Sequence, residues 1–517
     1  MKLLLSIIIL LTIAKSYAQT TFNKRIQLGC GTTIFTGLEV TDSCYYITGI
    51  AQDTPNCNLG GLFYKVDTLG NALLHTIQVV ENRLDFWRSC LRTDIDGNLV
   101  VAGEVFDTTQ VSALMIKYNS NGDTLWTRRY RDQANLQGFY RSDNLVITPD
   151  SSYILVGQTG NGNNNSFQIL NIERDGNIRW SKTIGHGYNY NGEHSLVTLE
   201  DGFVVGYVHT NTNQVPIDYD MFCNIKKNDY NGNVLWEWQS DTSLQLEGAN
   251  DLIQTKDKGW VVGTAIGKEF LTTGGTGSIL VHDSYVFKLD STRNWLWGRK
   301  LRAYSYSRYA KVMKVIEQPD SSLMTFGITT DTFPLNGTTI AQWHAMVAKL
   351  SPNGDSLWSH RYSYIDQAWA EHEISDVEQT HDGGYLIAGQ AKFTGQGPYQ
   401  QGWLLKLDEH GCLVPGCHID SSRIGILPIG AQPQAELQLY PNPATDYLNV
   451  LYRNQQIGEK LTFRILDEQG RVLQSHITSD VSNKTYVFPV WELLSGWYVL
   501  EVRQDGVLVG SEVFIKQ

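Results

Sequence analysis

Short apolar runs separated by polar turns alternate through most of this chain. One stretch shows the pattern. Leu91-Arg92-Thr93 runs into the turn Asp94-Ile95-Asp96-Gly97-Asn98, and Leu99–Gly103 follows as a second run. After a polar loop, Ala113–Tyr118 and Thr124–Tyr130 form a third and a fourth run around the turn Asn119–Asp123. Period-two runs joined by Asp/Asn/Gly turns are hairpins. The first turn recurs at Asp42, Asp96, Asp150, Asp201, Asp257, Asp320 and Asp382. A glycine ends the second run at Gly49, Gly103, Gly157, Gly206, Gly263, Gly327 and Gly389, at intervals of 49 to 64 residues.

Seven four-stranded units predict an all-β fold, a seven-bladed β-propeller. A linear β-solenoid is the rival, and four strands per unit favour the propeller. A tryptophan recurs in the fourth run at Trp126, Trp180, Trp236, Trp297 and Trp358, with Leu74 in its place in the first unit. A repeated aromatic at fixed spacing is expected to pack between blades rather than bind a ligand. The seventh unit has a first strand near Ser375–Thr380, then Tyr385–Gly389 and Trp403–Leu407, and no fourth run. Thr20–Ile26 resembles an orphan fourth strand, so the N-terminal strand is expected to complete the last blade and leave no open edge.

Outside the repeats, Met1–Ala18 reads as a signal peptide: Lys2, an apolar Leu3–Ile13, and small residues at Ser16 and Ala18. No later run is long and apolar enough to span a bilayer, so the mature chain is expected not to cross one. The propeller is expected over 19–419 and a Pro/Gly-containing linker over 420–434. Residues 435–517 open with Tyr440-Pro441-Asn442-Pro443-Ala444-Thr445-Asp446. They continue through Asp467-Glu468-Gln469-Gly470-Arg471 and Ser495-Gly496-Trp497-Tyr498, and end in a short strand. Alternating strands with glycine turns predict a small Ig-like β-sandwich.

These segments, taken in order, resemble the C-terminal sorting domain of the type IX secretion system of Bacteroidetes bacteria. The resemblance covers about 80 residues, the size of one small module. It implies export across the outer membrane by the type IX secretion machinery and release or attachment at the cell surface. Its conserved pieces fall on Pro441, Asn442, Pro443, Gly470, Gly496 and Tyr498. The repeats also look like those of other exported proteins, where Asp-Gly-Gly-Tyr precedes Trp-Leu-x-Lys-Leu-Asp, as Asp382–Tyr385 precedes Gly402–Asp408 here. That likeness implies a fold and a location, not an activity.

Seven cysteines behind a signal peptide point to an oxidising compartment. Cys412 and Cys417 flank a Pro-Gly loop suited to a local disulfide. Cys30 and Cys57 are the second expected pair, since their loops open on one face of a propeller. Cys44, Cys90 and Cys223 fall in or beside strands, as buried thiols do.

Composition narrows the function. Asp plus Glu number 53 against 41 Lys plus Arg, a net charge of −12, so no basic surplus exists for nucleic acid. No Gly-x-Ser-x-Gly, His-Glu-x-x-His or phosphate-binding loop occurs. Asp94–Asn98 begins like a calcium loop but has Val105 where the twelfth-position glutamate belongs, so a turn is expected there. No metal or cofactor is expected. Glu193, Glu247, Glu371 and Glu373 precede inner strands on one face, as candidates for paired-carboxylate chemistry. Trp87, Tyr140, Tyr190, Tyr309 and Trp369 crowd the same loops and could stack on sugars. Long loops at Tyr207–Asp220, Thr264–His282, Ile328–Trp343 and Gln390–Gln401 mark that face. The expectation is a secreted binding or adhesion module for a glycan or protein ligand. A glycan-active hydrolase using the loop acids and a structural surface protein stand as alternatives.

Overall fold

The structure is a computed structural model. It describes the chain except residues 1–19, 55, 81–82, 108–110, 131–144, 160–164, 188–193, 211–220, 242–243, 245, 247, 274–276, 302–309, 336–337, 365–369, 394–399, 415–434, 455–459, 468–471, 483 and 506. The predicted signal peptide and linker therefore lie outside the described residues. The chain divides into two compact units, one ending at Gly411 and the other running from Cys412 to Gln517.

The first unit is seven four-stranded antiparallel sheets. Their inner strands are Thr33–Val40, Arg83–Thr93, Leu145–Ile147, His194–Leu199, Asp251–Gln254, Lys311–Glu317 and Ala370–Gln379. Blades one to six are consecutive in sequence. The seventh takes its outer strand from Phe22–Ile26, which pairs with Gln400–Leu407 from Phe22↔Lys406 to Ile26↔Gly402.

Apolar clusters between successive sheets make these a ring. Tyr46 and Phe63 meet Leu99 and Leu114 between blades one and two. Ala102 and Met115 meet Leu155 and Leu170 between two and three. Val156 and Ile169 meet Val205 and Tyr207 between three and four. Val204 and Ile225 meet Val262 and Phe287 between four and five. Val261 and Val286 meet Leu323 and Met346 between five and six. Phe326 meets Tyr385 at 5.0 Å between six and seven, and Leu386 and Leu404 meet Phe35 and Leu62 between seven and one. The second and third strands of a blade are buried on both faces, as in Cys44–Gln52 and Leu59–Asp67, which is why they read as apolar runs rather than a strict alternation, while the fourth strands are largely exposed.

The tryptophan column has one job around the whole ring. Each tryptophan, half-buried, rests on the turn that follows the third strand of the next blade. Every one of those seven turns has a residue in the left-handed region: Gly70, Gly122, Gly176, Gly232, Arg293, Gly354 and Gly411. Trp126 meets Gly176, Trp180 meets Gly232, Trp297 meets Gly354 and Trp358 meets Gly411. Leu74 faces Gly122, and the Arg293 guanidinium lies 5.0 Å from the Trp236 ring centre. Phe22 supplies the seventh member and rests on Gly70.

The second unit is a sandwich of a three-stranded and a four-stranded sheet. Leu448, Val450, Tyr452, Phe463, Phe488, Leu500, Val502 and Phe514 fill the space between them. Among the described residues no helix is long and apolar enough to cross a membrane.

Candidate functional site

Two features distinguish individual blades from the common repeat. The first is a pair of arms. In blade one the second and third strands are Cys44–Gln52 and Leu59–Asp67. In blade five they are Trp260–Thr273 and Gly277–Leu289, and in blade six Leu323–Leu335 and Thr338–Leu350. The extra residues are paired, from Glu269↔Val281 to Thr273↔Gly277 and from Asp331↔Gln342 to Leu335↔Thr338. Two of the expected long loops, Thr264–His282 and Ile328–Trp343, are thus mostly hairpin. A register shift between Gly267 and Glu269 lets the fifth-blade ladder resume beyond an irregularity. Four or five added residues per strand lengthen an arm by roughly 15 Å at about 3.3 Å per residue.

The second feature is the start of the seventh inner strand. Glu371, His372 and Glu373 were expected in a loop before it. They lie within it instead, because a bulge between Ile374 and Asp376 lets pairing continue back to Ala370. Glu371 and Glu373 share one face, two residues apart. Each is engaged by the neighbouring strand: Lys392 Nζ reaches Glu371 Oε2 at 3.1 Å, and Gln390 donates its side-chain amide to Glu373. His372 is fully buried. Its Nδ1–H donates to the Trp343 carbonyl at 2.9 Å and its Nε2 accepts the Tyr364 N–H at 3.0 Å, so it joins blades six and seven.

Glu193, Glu247, Tyr140, Tyr190, Tyr309 and Trp369 lie outside the described residues. Trp87 was expected in a loop, and its backbone belongs to the strand Arg83–Thr93, inside the register shift between Asp85 and Ser89. Cys30 is bonded to Cys57. Cys412 is disulfide-bonded, and its expected partner Cys417 lies outside the described residues. Cys44, Cys90 and Cys223 are buried thiols, and Cys90 donates to the Ala102 carbonyl at 3.5 Å.

Sequence reasoning missed two charge systems. In the first, a third-strand lysine reaches the first-turn aspartate of its own blade: Lys117 to Asp94 at 2.5 Å, Lys227 to Asp201 at 2.6 Å, Lys288 to Asp257 at 2.5 Å and Lys406 to Asp382 at 2.9 Å. Burial works to raise the Asp257 carboxyl, yet Lys288, Thr255 and Gly259 outweigh it and bring it down to about 2. In blade two, Asp94 also accepts the N–H groups of Asp96 and Asn98 at 2.9 and 2.8 Å, so its oxygens hold a turn together. The signal was legible: the lysine stands two residues before the polar residue that opens the next turn, as in Lys288-Leu289-Asp290 and Lys406-Leu407-Asp408.

The second system stitches inner strands to one another. Asp376 Oδ2 accepts the Leu38 N–H at 3.0 Å, Glu378 Oε2 the Val40 N–H at 2.8 Å, and Glu39 Oε1 the Thr93 N–H at 2.9 Å. Arg92 lies 3.8 Å from Glu378. Burial, with Glu39 and Asp376 nearby, pushes the Glu378 carboxyl well above the usual carboxylate range. Burial likewise raises Glu39, against the pull of Arg92. Among the described residues no group of three or more His, Cys, Asp or Glu side chains is arranged to hold a metal ion. A cleft of about 470 Å³ opens where the first turns of blades two to four converge, lined by Ile95, Ile147, Pro149, Leu199, Glu200 and Tyr230. It lies at the end of the ring opposite the arms.

In the second unit, Pro441 and Pro443 flank Asn442 in the bend between the strands Ala435–Tyr440 and Tyr447–Asn454. Asn442 clasps the last strand, its Oδ1 accepting the Ile515 N–H at 2.8 Å and its Nδ2 donating to the Val513 carbonyl at 3.1 Å. Gly496 opens the strand Gly496–Gln504. Tyr498 donates its hydroxyl to the Leu494 carbonyl at 2.8 Å and stacks on Phe514. Gly470 lies outside the described residues. The family model described as the secretion system C-terminal sorting domain matches residues 438–516. The C-terminal module is a sorting domain. It makes the chain a cargo of the type IX secretion system, secreted or held at the outer cell surface.

No curated protein matches the chain. Among solved structures the chain is similar to polysaccharide lyase Uly1, with 10% identity over 72% of this chain and 90% of that one, at a TM-score of 0.44. It is similar to a PL25 ulvan lyase bound to -[GlcA(1-4)Rha3S]-, with 9% identity over 76% and 97%, at 0.45. It is also similar to Drosophila Plexin A in complex with Semaphorin 1b, with 8% identity over 76% and 89%, at 0.36. Likeness at this level carries no argument about activity.

Proposed function

We propose that this sorting-domain cargo is a surface-displayed binding module. It takes a glycan or protein ligand on the end of the ring from which blades five and six raise their arms. The observation that supports this reading is the asymmetry of the repeat. The blades share turns, tryptophan contacts and ion pairs, while two adjacent second-to-third-strand hairpins are extended by paired residues beyond what closing the ring requires. Extensions carried by a rigid scaffold are where recognition concentrates. Of the acids the hydrolase alternative would use, Glu371 and Glu373 are each engaged by a strand neighbour, and Glu193 and Glu247 lie outside the described residues.

The test is a thermal-unfolding screen of the full chain against a glycan panel, since a ligand that binds the native state raises the midpoint. The comparison chain has residues 268–281 and 332–341 each replaced by Asn-Gly, a two-residue hairpin turn. A shift in the wild type that is lost in the shortened chain supports the reading. The same shift in both chains places the ligand elsewhere, with the cleft at Ile95 and Tyr230 the first place to look.

A further inference from the structure

The first strand is bound to its sheet as a peptide ligand would be. Phe22–Ile26 comes from the opposite end of the propeller sequence to the three strands it joins. Its side chains are recognised one by one. Phe22 rests on Gly70, where an added Cβ would lie 2.8 Å from the ring. Asn23 is held from two sides: its Oδ1 accepts the Trp403 indole N–H at 2.6 Å, and its Nδ2 donates to the Ser363 carbonyl at 3.0 Å. Lys24 donates to the Leu69 carbonyl at 2.7 Å. A main-chain ladder with pockets for particular side chains is how a sheet edge selects an extended peptide.

Only residues 27–32 lead from this strand to the first inner strand at Thr33. That tether is fastened to blade one. Cys30 is bonded to Cys57 across 27 residues of sequence. The Thr32 N–H donates to Gln52 Oε1 at 2.7 Å. Gly29 sits so close to the same residue that a Cβ there would fall 1.7 Å from the Gln52 carbonyl oxygen. A short terminal element on a short hinge is the arrangement in which identical chains exchange elements.

We propose that the edge of Gln400–Leu407, when its own first strand frays, is an acceptor for the Phe-Asn-Lys-Arg-Ile strand of a second copy of this chain, and that Cys30–Cys57 is the lock preventing the exchange. With the tether fixed to blade one, a frayed strand stays at high effective concentration beside its own sheet. Without the disulfide, the strand of another copy competes for the edge. The exchange swaps one set of main-chain hydrogen bonds for an identical set, so its equilibrium is set by tethering and concentration.

The test uses the full chain carrying Cys30→Ser and Cys57→Ser, probed with a labelled synthetic peptide of residues 20–28. The variant is expected to take up the peptide, and the wild type to exclude it. Hydrogen exchange at residues 22–26 and 400–407 is expected to rise at least about tenfold in the variant, with the other sheets unchanged, because local opening samples less than the whole fold. A peptide with Ala in place of Asn23 is expected to bind at least about tenfold more weakly, having lost two hydrogen bonds. Exclusion of the peptide by a folded double variant, with unchanged exchange at the strand, overturns the proposal. Should the double variant fail to fold, Asn23→Ala with the disulfide intact reads the same strand. Faster exchange confined to residues 22–26 and 400–407 supports a separable strand, and faster exchange across all seven sheets overturns it.

Discussion

The ring of Phe22 rests on Gly70, and this contact occupies the same place in the seventh blade as the tryptophan contacts in the others. Phe22 stands opposite Lys406, as Trp126 stands opposite Lys117 and Trp358 opposite Lys349. The closing strand therefore copies both the register and the inter-blade contact of a native fourth strand. Closure of the ring is a sequence-encoded match rather than a passive meeting of chain ends.

The turn glycines separate two costs. At Gly354, φ is +82° and a Cβ would lie 2.7 Å from the Trp297 ring. At Gly97, φ is +76° and nothing lies within 4 Å. Gly97→Ala is expected to cost about 1 kcal/mol from the backbone alone, and Gly354→Ala about 2–4 kcal/mol because the tryptophan must also shift. Denaturant unfolding of the two variants measures the difference, and equal costs would remove the packing role assigned to the tryptophan column.

Lys406 is fully buried, and Asp382 is its ion-pair partner. Asp382→Ala takes the carboxylate partner from a buried ammonium, leaving it the Leu407 carbonyl at 3.2 Å and the more distant Asp408, and is expected to cost about 3 kcal/mol, whereas Lys406→Met fills the same space without a charge and should cost well under half of that. Burial pushes the Asp382 carboxyl up, but Thr380 and Lys406 together hold it below the usual range. Its contribution to stability is therefore present above the ordinary carboxylate range and fades as pH falls through the lowered value. Unfolding curves from pH 6 downwards should show acid destabilisation in the wild type that is reduced in Asp382→Ala.

Glu378 carries the opposite sign. Its carboxyl is raised in the folded state, so its contribution is complete below the ordinary carboxylate range and is lost as pH rises towards the raised value. Glu378→Gln keeps an oxygen for the Val40 N–H and removes the titration. The variant is expected to match the wild type near pH 4 and to melt higher near pH 8. A variant that melts lower than the wild type at pH 8 would mean that the charged form, paired with Arg92, is the native one.

Asn442 ties the sorting motif to the last strand through two hydrogen bonds with Val513 and Ile515. Asn442→Ala is expected to destabilise the module by about 1–3 kcal/mol and to lower the exported fraction of the full chain. Quantifying the chain in the cell-surface and medium fractions against total expression checks this. Undiminished export with a destabilised module would separate the motif's structural role from its sorting role.

Much of the ring was legible because its residues repeat. Seven aspartates and seven glycines recur once per unit and five tryptophans once in each of five units, and the tryptophans do the same physical work wherever they occur. The sorting module was legible for a related reason, since its turn and strand motifs are local. The arms and the start of the seventh inner strand were not. At Ile374/Asp376 and Gly267/Glu269 the ladder skips a residue, and the sequence reads as loop where pairing continues. The Asp376–Leu38 and Glu378–Val40 bonds join residues 338 positions apart, and no local pattern announces such a contact. Glu193, Glu247 and most of the loop aromatics sit in segments whose spacing varies from blade to blade, where the repeat offers no register.

The central claim is that the arms of blades five and six carry the binding. The most direct measurement compares adherence of cells exporting the wild-type chain with that of cells exporting the arm-shortened chain, on surfaces coated with the glycan panel. Surface display of the two chains is quantified in parallel. Equal display with adherence lost in the shortened chain is the predicted result. Equal display with equal adherence would contradict it and move the binding surface off the arms.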